Sequence, residues 1–432
     1  MKVVEWIIKD RNIDSAIKAV KKNKGSAGID KMTTRELDGY FALHRDEIKK
    51  QILEGTYEPK PVRREYIPKA NGKKRPLGIP TVRDRVVQQA VAQVLMLGYD
   101  KYFSENSYGF RPRRDCHQAI NKALEYVNEG YEWVIDLDIE KYFDTVNHDK
   151  LISILREKMN DAKTLRLIRK FLKAGVMEEG LVKPSEEGVP QGGPLSPILS
   201  NVYLDKLDKE LEQRQLCFVR YADDCNIFVK SEKAANRVMK SVTSWIERKL
   251  RLKVNATKSK VVRPTQSNFL GFSFWKNKGE WKLIPMKDRK KKLYDKTRQI
   301  LCRKRACART IGETFKQLNW LIRGWINYYG ISVMNSLMKS YSYWVRRKVR
   351  VVILKQWKNP KRIYINLQKL CKLLKYKFTE KEIYVAAYSN KGPYRRANHP
   401  IVRLSICPKL LSKAKKDRPG LINPLEYYLS RA

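Results

Sequence analysis

The chain has 432 residues, more than one hydrophobic core usually serves, and 42% of them are hydrophobic, which excludes a disordered protein. Its 91 lysines and arginines against 45 aspartates and glutamates leave a net charge of +46, well beyond what solubility needs, and favour nucleic acid as the partner. No run of about 18 apolar residues occurs, and the charged N-terminus is too short for a signal peptide, so we expect no membrane contact. Seven cysteines without C-x-x-C spacing favour a reducing cytoplasm over a disulfide framework or a structural zinc site.

The positive charge is concentrated towards the end of the chain. Residues 287–432 hold 37 of the 91 basic residues but only 7 of the 45 acidic ones. A nearly balanced body is therefore followed by a strongly basic region, and we predict a boundary near Pro285.

The first 80 residues predict helices followed by strands and turns. Residues 1–57 have a helical pattern with stops at Gly25, Gly28 and Gly55. Residues 59–80 contain five prolines around a short β-rich run, which predicts strands and turns. A helix over 82–98 should follow, capped by Thr81.

Two segments in the middle of the chain predict strands that carry carboxylates. Residues 133–139 alternate between an apolar face and a face bearing Asp136 and Asp138, and Asn147 can cap a helix over roughly 148–159.

Residues 218–229 predict two β-strands around a tight turn that holds Asp223 and Asp224. If this hairpin neighbours the strand ending in Asp138, three carboxylates converge and require a counter-charge. Such a cluster suits Mg²⁺, and two ions can support an in-line phosphoryl displacement. The alternative is ordinary turn chemistry, because aspartate is a favoured turn residue.

The residues around these carboxylates resemble a known family. Tyr221-Ala-Asp-Asp224 is the polymerase hairpin of reverse transcriptases, and the chain resembles a bacterial group II intron reverse transcriptase/maturase. The match runs in the same order over nearly the whole chain, through residues 28–30, 67–80, 107–112, 138–144, 188–197, 252–259 and 269–272.

The resemblance implies an α+β right-hand polymerase with fingers, an antiparallel palm sheet and a helical thumb. It implies an N-terminal extension over 1–57, fingers and palm over 58–286, a thumb or maturase domain over 287–385, and a basic DNA-binding segment over 386–432. Arg395-Arg396 and Lys415-Lys416 belong to that last segment. In the thumb, Phe315, Leu318, Ile322, Trp325 and Tyr329 recur at helical spacing; they predict a core, with a base-stacking platform as the alternative.

The resemblance also assigns the catalytic centre. Asp138, Asp223 and Asp224 would be catalytic and, with the backbone carbonyl of Ile139, would hold two Mg²⁺ ions. Phe143 would lie under the incoming sugar and exclude a ribose 2′-hydroxyl; taken alone, the residue is better explained as a core aromatic, and its spacing of five residues from Asp138 favours the sugar contact.

Further residues are implied around the incoming nucleotide. Lys69, Arg75 and Arg111 would reach the triphosphate, and Gln191 would lie against the nascent base pair. Lys258 would sit near the nucleotide and protonate the leaving pyrophosphate. Phe269, Leu270 and Gly271 would contact the primer.

The implied function is RNA-directed DNA synthesis together with binding of the parent intron RNA to assist splicing and retrotransposition. The implied partners are group II intron RNA, an RNA template with a DNA primer, target DNA and dNTPs. After Cys371 only His399 and Cys407 remain as His or Cys residues, too few for a His-Asn-His nuclease, so the chain is similar to the shorter, endonuclease-lacking, group IIC-like type. Two alternatives stay open: an RNA-binding maturase with an idle polymerase site, and a domesticated reverse transcriptase used in defence or repair.

Overall fold

The computed structural model describes residues 2–68, 72, 74–178, 180–414 and 418–431. The chain is a mixed α+β protein that divides into two compact units, Met1–Leu270 and Gly271–Ala432. No helix among these residues is both long enough and apolar enough to cross a membrane. Lys69, Lys415 and Lys416 lie outside the described residues.

The N-terminal unit contains ten α-helices and eight strands among the described residues. The helices are α1 Val3–Ile7, α2 Asp10–Asn23, α3 Leu37–Glu54, α4 Val82–Tyr99, α5 Cys116–Asn128, α6 Tyr142–Thr145, α7 His148–Arg156, α8 Ala162–Lys173, α9 Ser196–Gln213 and α10 Glu232–Trp245. The strands are β1 Val62–Pro68, β2 Lys74–Ile79, β3 Trp133–Asp138, β4 Val176–Glu178, β5 Leu181–Lys183, β6 Cys217–Tyr221, β7 Asp224–Val229 and β8 Lys260–Val262.

The predicted helix starts in this unit are made by the expected caps. The Thr81 hydroxyl accepts a hydrogen bond from the backbone N–H of Asp84 at 3.1 Å, and the Asn147 side chain accepts one from Lys150 at 2.9 Å. Gly55 ends α3 with a φ of 77°, a left-handed conformation that glycine adopts without strain.

A four-stranded sheet in the order β6-β7-β3-β8 positions the carboxylates. All of its pairings are antiparallel, as predicted for the palm, and α5, α9 and α10 pack against it. Apolar side chains such as Ile135, Phe218 and Ile227 are fully buried between the sheet and these helices. One face of the sheet is therefore anchored in the core, and the polar residues of β3 and β7 lie on the other.

The proline-rich region forms a second sheet in the order β2-β1-β4-β5. The strands β1 and β2 are an antiparallel pair, and the Val62 N–H joins β1 to the Gly175 carbonyl at 3.0 Å. The prediction of strands and turns over this region is confirmed.

The C-terminal unit begins with the hairpin of β9 Phe272–Asn277 and β10 Glu280–Pro285 and is otherwise helical. Its helices are α11 Lys287–Ile300, α12 Arg303–Cys307, α13 Ile311–Tyr329, α14 Asn335–Gln356, α15 Pro360–Leu373, α16 Glu380–Tyr388, α17 Pro393–Arg396, α18 Pro400–Ser405, α19 Pro408–Ser412 and α20 Pro424–Leu429.

The hairpin that we predicted as the end of the palm packs with the helices of this second unit. The Val333 N–H donates to the Leu283 carbonyl at 3.0 Å, and the rings of Phe272 and Tyr329 lie 5.1 Å apart. The four-part domain assignment stays a prediction.

The predicted aromatic and aliphatic stripe of α13 is core. Phe315 and Leu318 have no exposed surface and Ile322 is 1% exposed, whereas Trp325 is half-buried. The core explanation of the stripe is thus confirmed for its buried members.

Candidate active site

The strand β3 and the hairpin β6–β7 bring the acidic residues together. Antiparallel pairing of β3 with β7 sets Asp138 directly opposite Asp224. Tyr221 pairs with Asp224 to close the hairpin, so Ala222 and Asp223 form its turn, with Ala222 in the left-handed region at φ 58°. Two segments more than eighty positions apart in the sequence therefore meet at one end of the sheet.

These carboxylates oppose one another electrostatically. Burial, followed by repulsion from Asp223 and Asp138, raises the pKa of Asp224 to about 6. The Asp138 carboxylate is neutralised by Lys258, whose Nζ lies 2.6 and 3.0 Å from its two oxygens.

The donor chemistry fits a hard divalent cation such as Mg²⁺, because a cation would offset the repulsion that raises the Asp224 pKa. Across the described ranges, no group of three or more Asp, Glu, His or Cys side chains is already arranged to hold a metal ion. Lys258 supplies positive charge at Asp138.

A polar turn places Lys258 at this position. The Asn255 N–H donates to the Asp138 carbonyl at 2.8 Å, and the Asn255 side chain accepts from the N–H groups of Thr257 and Lys258. The Ser259 hydroxyl accepts from the Asp138 N–H at 3.0 Å. The motif over 252–259 is thus bonded to the end of β3 on both sides of the Asp138 side chain.

Asp136, one pleat away from Asp138, has a different environment. One of its oxygens accepts from the Asn226 amide and the Ser267 hydroxyl, each at 2.6 Å. Burial raises the Asp136 pKa, although these donors act against the rise. Its bonds tie β3 to β7 and to the chain after β8, which is a structural task.

The sequence did not lead us to Arg220, the residue that holds the β6–β7 hairpin from beneath. Its guanidinium has no exposed surface and forms a two-pronged salt bridge with Asp208 on α9, at 2.6 and 2.5 Å. It also donates to the Ala222 carbonyl at 2.8 Å and to the Ser107 hydroxyl at 2.8 Å. Although burial opposes the charge, Asp208 raises the Arg220 pKa above its ordinary value.

The alternation of buried residues along β6 could have identified Arg220 as a buried charge. Phe218 and Arg220 lie two positions apart, on the same face of a strand whose apolar residues are buried. A charge on a buried face requires a buried counter-charge, and Asp208 lies on the buried side of α9.

The segment over 104–112 packs directly against the turn of the hairpin. A Cβ atom on Gly109 would lie 2.2 Å from the Ala222 nitrogen, so only glycine fits there. Arg111, which we expected at the triphosphate, is 4% exposed and donates to Asp100 at 2.7 Å and to the carbonyls of Ser104 and Ser107. These bonds give Arg111 a structural task in this segment.

Two other expected nucleotide contacts are brought together. Arg75 Nε donates to the Gln191 side-chain oxygen at 2.9 Å, and the Gln191 amide nitrogen reaches Asp144 at 3.4 Å. The Gln191 carbonyl accepts from the Gly78 N–H at 2.8 Å. The glycine-rich turn is thus fastened to β2, and Arg75 and Gln191 both reach solvent beside it.

Phe143 lies on α6, just beyond β3. It is half-buried, with its ring 5.1 Å from that of Tyr142 at an angle of 75°, and its carbonyl accepts from the Val189 N–H at 2.6 Å. Burial raises the pKa of Tyr142, with a further contribution from Asp223, which places α6 beside the turn that holds Asp223.

The remaining expected residues lie at the margins of the sheet. The Ile139 side chain is 4% exposed, so only its backbone is available to a ligand. The Phe269 side chain is 1% exposed, while Leu270 and Gly271 adopt φ of 53° and 83°. Cys225 follows Asp224, is 2% exposed, and has its pKa raised by burial.

Two protein families match this chain. The family described as "Reverse transcriptase (RNA-dependent DNA polymerase)" matches residues 67–274, and "Group II intron, maturase-specific domain" matches residues 290–371. The first match contains the strand, hairpin and glycine-rich turn described above. The chain is thus a reverse transcriptase, an RNA-directed DNA polymerase, with an adjoining maturase domain.

Similar proteins point to one branch of this class. Protein YkfC of Escherichia coli (strain K12) is 32% identical, over 74% of this chain and 90% of that protein. Group II intron-encoded protein LtrA of Lactococcus lactis subsp. cremoris is 44% identical, over 42% of this chain and 31% of LtrA. The Putative COX1/OXI3 intron 2 protein of Saccharomyces cerevisiae is 34% identical, over 57% of this chain and 28% of that protein. The chain belongs to the group II intron reverse transcriptase/maturase family.

Proposed function

We propose that this chain copies RNA into cDNA from a DNA primer by two-metal nucleotidyl transfer at Asp138, Asp223 and Asp224. The observation that carries the proposal is the register that sets Asp138 opposite Asp224, with Asp223 in the adjoining turn. Two Mg²⁺ ions held by these carboxylates and the Ile139 carbonyl would activate the primer 3′-hydroxyl and offset charge on the leaving oxygen.

The neighbouring side chains have roles that follow from their positions. Arg75 presents a planar fork to the triphosphate, while Gln191 holds that fork and faces the nascent base pair. The Phe143 ring, on the helix beside the catalytic turn, excludes a ribose 2′-hydroxyl. The Lys258 ammonium, paired with Asp138, donates a proton to the leaving pyrophosphate. Lys69 and the primer contacts at Phe269, Leu270 and Gly271 stay part of the proposal by resemblance.

The maturase region supports the second half of the proposal, which is binding of the parent intron RNA to assist splicing and retrotransposition. The C-terminal basic excess supplies the electrostatic attraction that RNA phosphates require. Target DNA would use the same attraction, and the segment over 386–432 is its proposed contact.

The test is primer extension on an RNA template with a DNA primer, Mg²⁺ and dNTPs, followed by rNTPs. Asp223→Asn should abolish extension, because it removes the charge of one proposed metal ligand. RNA binding and assisted splicing should stay intact, because the change leaves the basic RNA-binding surface as it is. Asp46→Asn is the matched control, since that carboxylate is 97% exposed on α3. Near-normal extension by Asp223→Asn would place the metal site elsewhere.

The same assay with rNTPs tests the sugar selection. Phe143→Ala should admit ribonucleotides, because the ring that would collide with the 2′-hydroxyl is gone. Unchanged discrimination between dNTPs and rNTPs would remove Phe143 from the proposed site.

A further inference from the structure

The N-terminal unit has a groove of about 780 Å³ outside the acidic site. It is lined by α1, α2 and α4, by Phe110 and by the start of α9. Its two aromatic rings are unusually open to solvent, since Trp6 is 49% and Phe110 is 45% exposed. The Lys9 ammonium lies 3.5 Å from the centre of the Trp6 ring, a cation–π contact.

Phe110 is held in a costly backbone conformation. Its φ of 58° is a left-handed value that bulky side chains rarely adopt. The ring gains little burial in return, so packing does not account for its position. Residues in sparsely populated backbone conformations cluster at active sites and ligand sites.

The charge and polarity of the lining favour a nucleic acid strand. Lys9 and Arg11 contribute positive charge, and none of the described residues lining the groove is acidic. Three amides form an ordered row, because Gln93 donates to Asn12 at 2.7 Å and Gln89 donates to Gln93 at 3.2 Å. Exposed rings, cations and fixed amides are the groups that bind unpaired bases and their phosphates.

The groove also adjoins two loops that lie beside the acidic site: the segment over 104–112 and the glycine-rich turn over 188–197. Phe110 follows Gly109, which packs on the turn of the catalytic hairpin. Pro194 and Pro197 line the groove just beyond the turn that holds Gln191. An apolar protein segment would not use the cations, and a duplex hides its base faces from stacking.

We propose that this groove binds an unpaired RNA strand, with bases stacked on Trp6 and Phe110 and phosphates against Lys9 and Arg11. The proposal rests on the proposed function, because it extends the RNA path away from the polymerase site. The amide row would read the base edges without imposing a strict sequence.

The test compares binding of a fluorescent single-stranded RNA of about 12 nucleotides with a blunt RNA–DNA duplex of equal length. Trp6→Ala and Phe110→Asn should each weaken single-strand binding about tenfold, as loss of one stacked base does, and change duplex binding less than twofold. Asparagine is chosen at position 110 because it tolerates a left-handed backbone. The control is Tyr102→Ala, whose 43% exposed ring also carries a stacked lysine but lies outside the groove.

Photocrosslinking of 4-thiouridine RNA to the unaltered chain gives a second measurement that needs no variant. Crosslinks on peptides containing Trp6 or Phe110 would support the proposal. The proposal would be overturned if the variants lost affinity equally for the single strand and the duplex, or if neither variant lost affinity. A change in sedimenting mass with unchanged RNA binding would also overturn it and make a second copy the occupant. Primer extension by the unaltered chain is measured in parallel, so failure of the polymerase proposal is seen separately.

Discussion

Arg220 shows how one buried charge can set the position of carboxylates that it does not touch. Its salt bridge with Asp208 fixes the guanidinium, and its bond to the Ala222 carbonyl fixes the turn that carries Asp223. A buried pair is not by itself stabilising, but removal of one partner leaves an uncompensated charge and costs about 3–5 kcal/mol. The effect of the pair on stability and its effect on the position of the turn can therefore be separated by changing one partner or both.

Arg220→Gln should destabilise the chain by about 3–5 kcal/mol, because Asp208 is left buried and unpaired. The double variant Arg220→Met/Asp208→Leu should regain most of that stability, since apolar side chains of similar size fill the space. It should still lose roughly 10- to 100-fold in kcat, because the Ala222 carbonyl has lost its donor and the turn shifts. Urea unfolding and primer extension measure the two effects. Normal kcat in a stable double variant would reduce Arg220 to a structural residue.

Asp205, on the helix α9 that also carries Asp208, makes the stability of the chain dependent on pH. Burial, followed by repulsion from Asp208, raises its pKa to about 6. The folded chain therefore holds a proton that the unfolded chain has released between about pH 4 and pH 6, so this group's stabilising contribution is lost as pH rises through that window.

Asp205→Asn should accordingly raise the free energy of unfolding at pH 7.5 by on the order of 2 kcal/mol and leave it unchanged near pH 4. Asp208→Asn is the matched change on α9 and should destabilise at pH 7.5, because it removes the partner of Arg220. Urea unfolding across the pH range gives both values. If Asp205→Asn raised the free energy of unfolding by the same amount at every pH, the raised pKa of Asp205 would be contradicted.

At the scale of elements, the β6–β7 hairpin depends on a close approach between two chain segments. Gly109 lies where any Cβ would meet the Ala222 nitrogen, so the segment over 104–112 acts as a support for the turn. The Asn201 side chain completes this support, because it donates to the Gly109 carbonyl at 2.8 Å and accepts from Arg220 at 3.2 Å.

Gly109→Ala should displace the turn and lower kcat at least tenfold, since the Cβ position is blocked by backbone that cannot rotate away. Gly98→Ala is the matched control: it lies on α4, a Cβ there meets nothing within 4 Å, and alanine favours a helix by about 0.5–1 kcal/mol. Thermal unfolding and primer extension measure the pair. Full activity in Gly109→Ala would show that the turn tolerates displacement.

Elements with local signals were predictable from the sequence. A few neighbouring residues determine each of three such features: the alternation of β3, the β6–β7 turn and the Thr81 cap. Each appears where expected. The salt-bridge partner of Arg220 lies on another element, α9, and Arg111 bonds to the non-repeating segment just before it, so periodicity cannot identify either set of contacts. Arg75 and Gln191 were expected near the nucleotide, but their direct contact across 116 positions needed the folded chain.

For the whole molecule, the charge distribution decides how nucleic acid is held. The 37 basic residues over 287–432 greatly outnumber the acidic ones, and bound phosphates release counterions when these side chains replace them. Affinity for RNA should therefore be strongly dependent on salt, whereas base stacking should be much less so.

RNA affinity should fall about 10³- to 10⁵-fold between 50 and 200 mM salt, as expected for six to ten phosphate contacts. Lys291→Gln/Lys296→Gln on α11, where both side chains are exposed, should reduce the slope of log affinity against log salt by about 1.5 to 2. Lys21→Gln/Lys49→Gln is the control, because those lysines are paired with Asp38 and Asp10. Filter binding across the salt range gives the slopes, and equal slopes for both pairs would remove α11 from the contact.

The burial of Cys225 beside Asp224 has a practical consequence for labelling the enzyme. Thiol reagents attack the thiolate, and Cys225 is kept protonated and inaccessible, whereas Cys302 at the start of α12 is exposed. A maleimide dye should therefore attach first to Cys302 and leave β7 chemically unaltered. The native chain offers a fluorophore position on its basic unit without prior removal of cysteines.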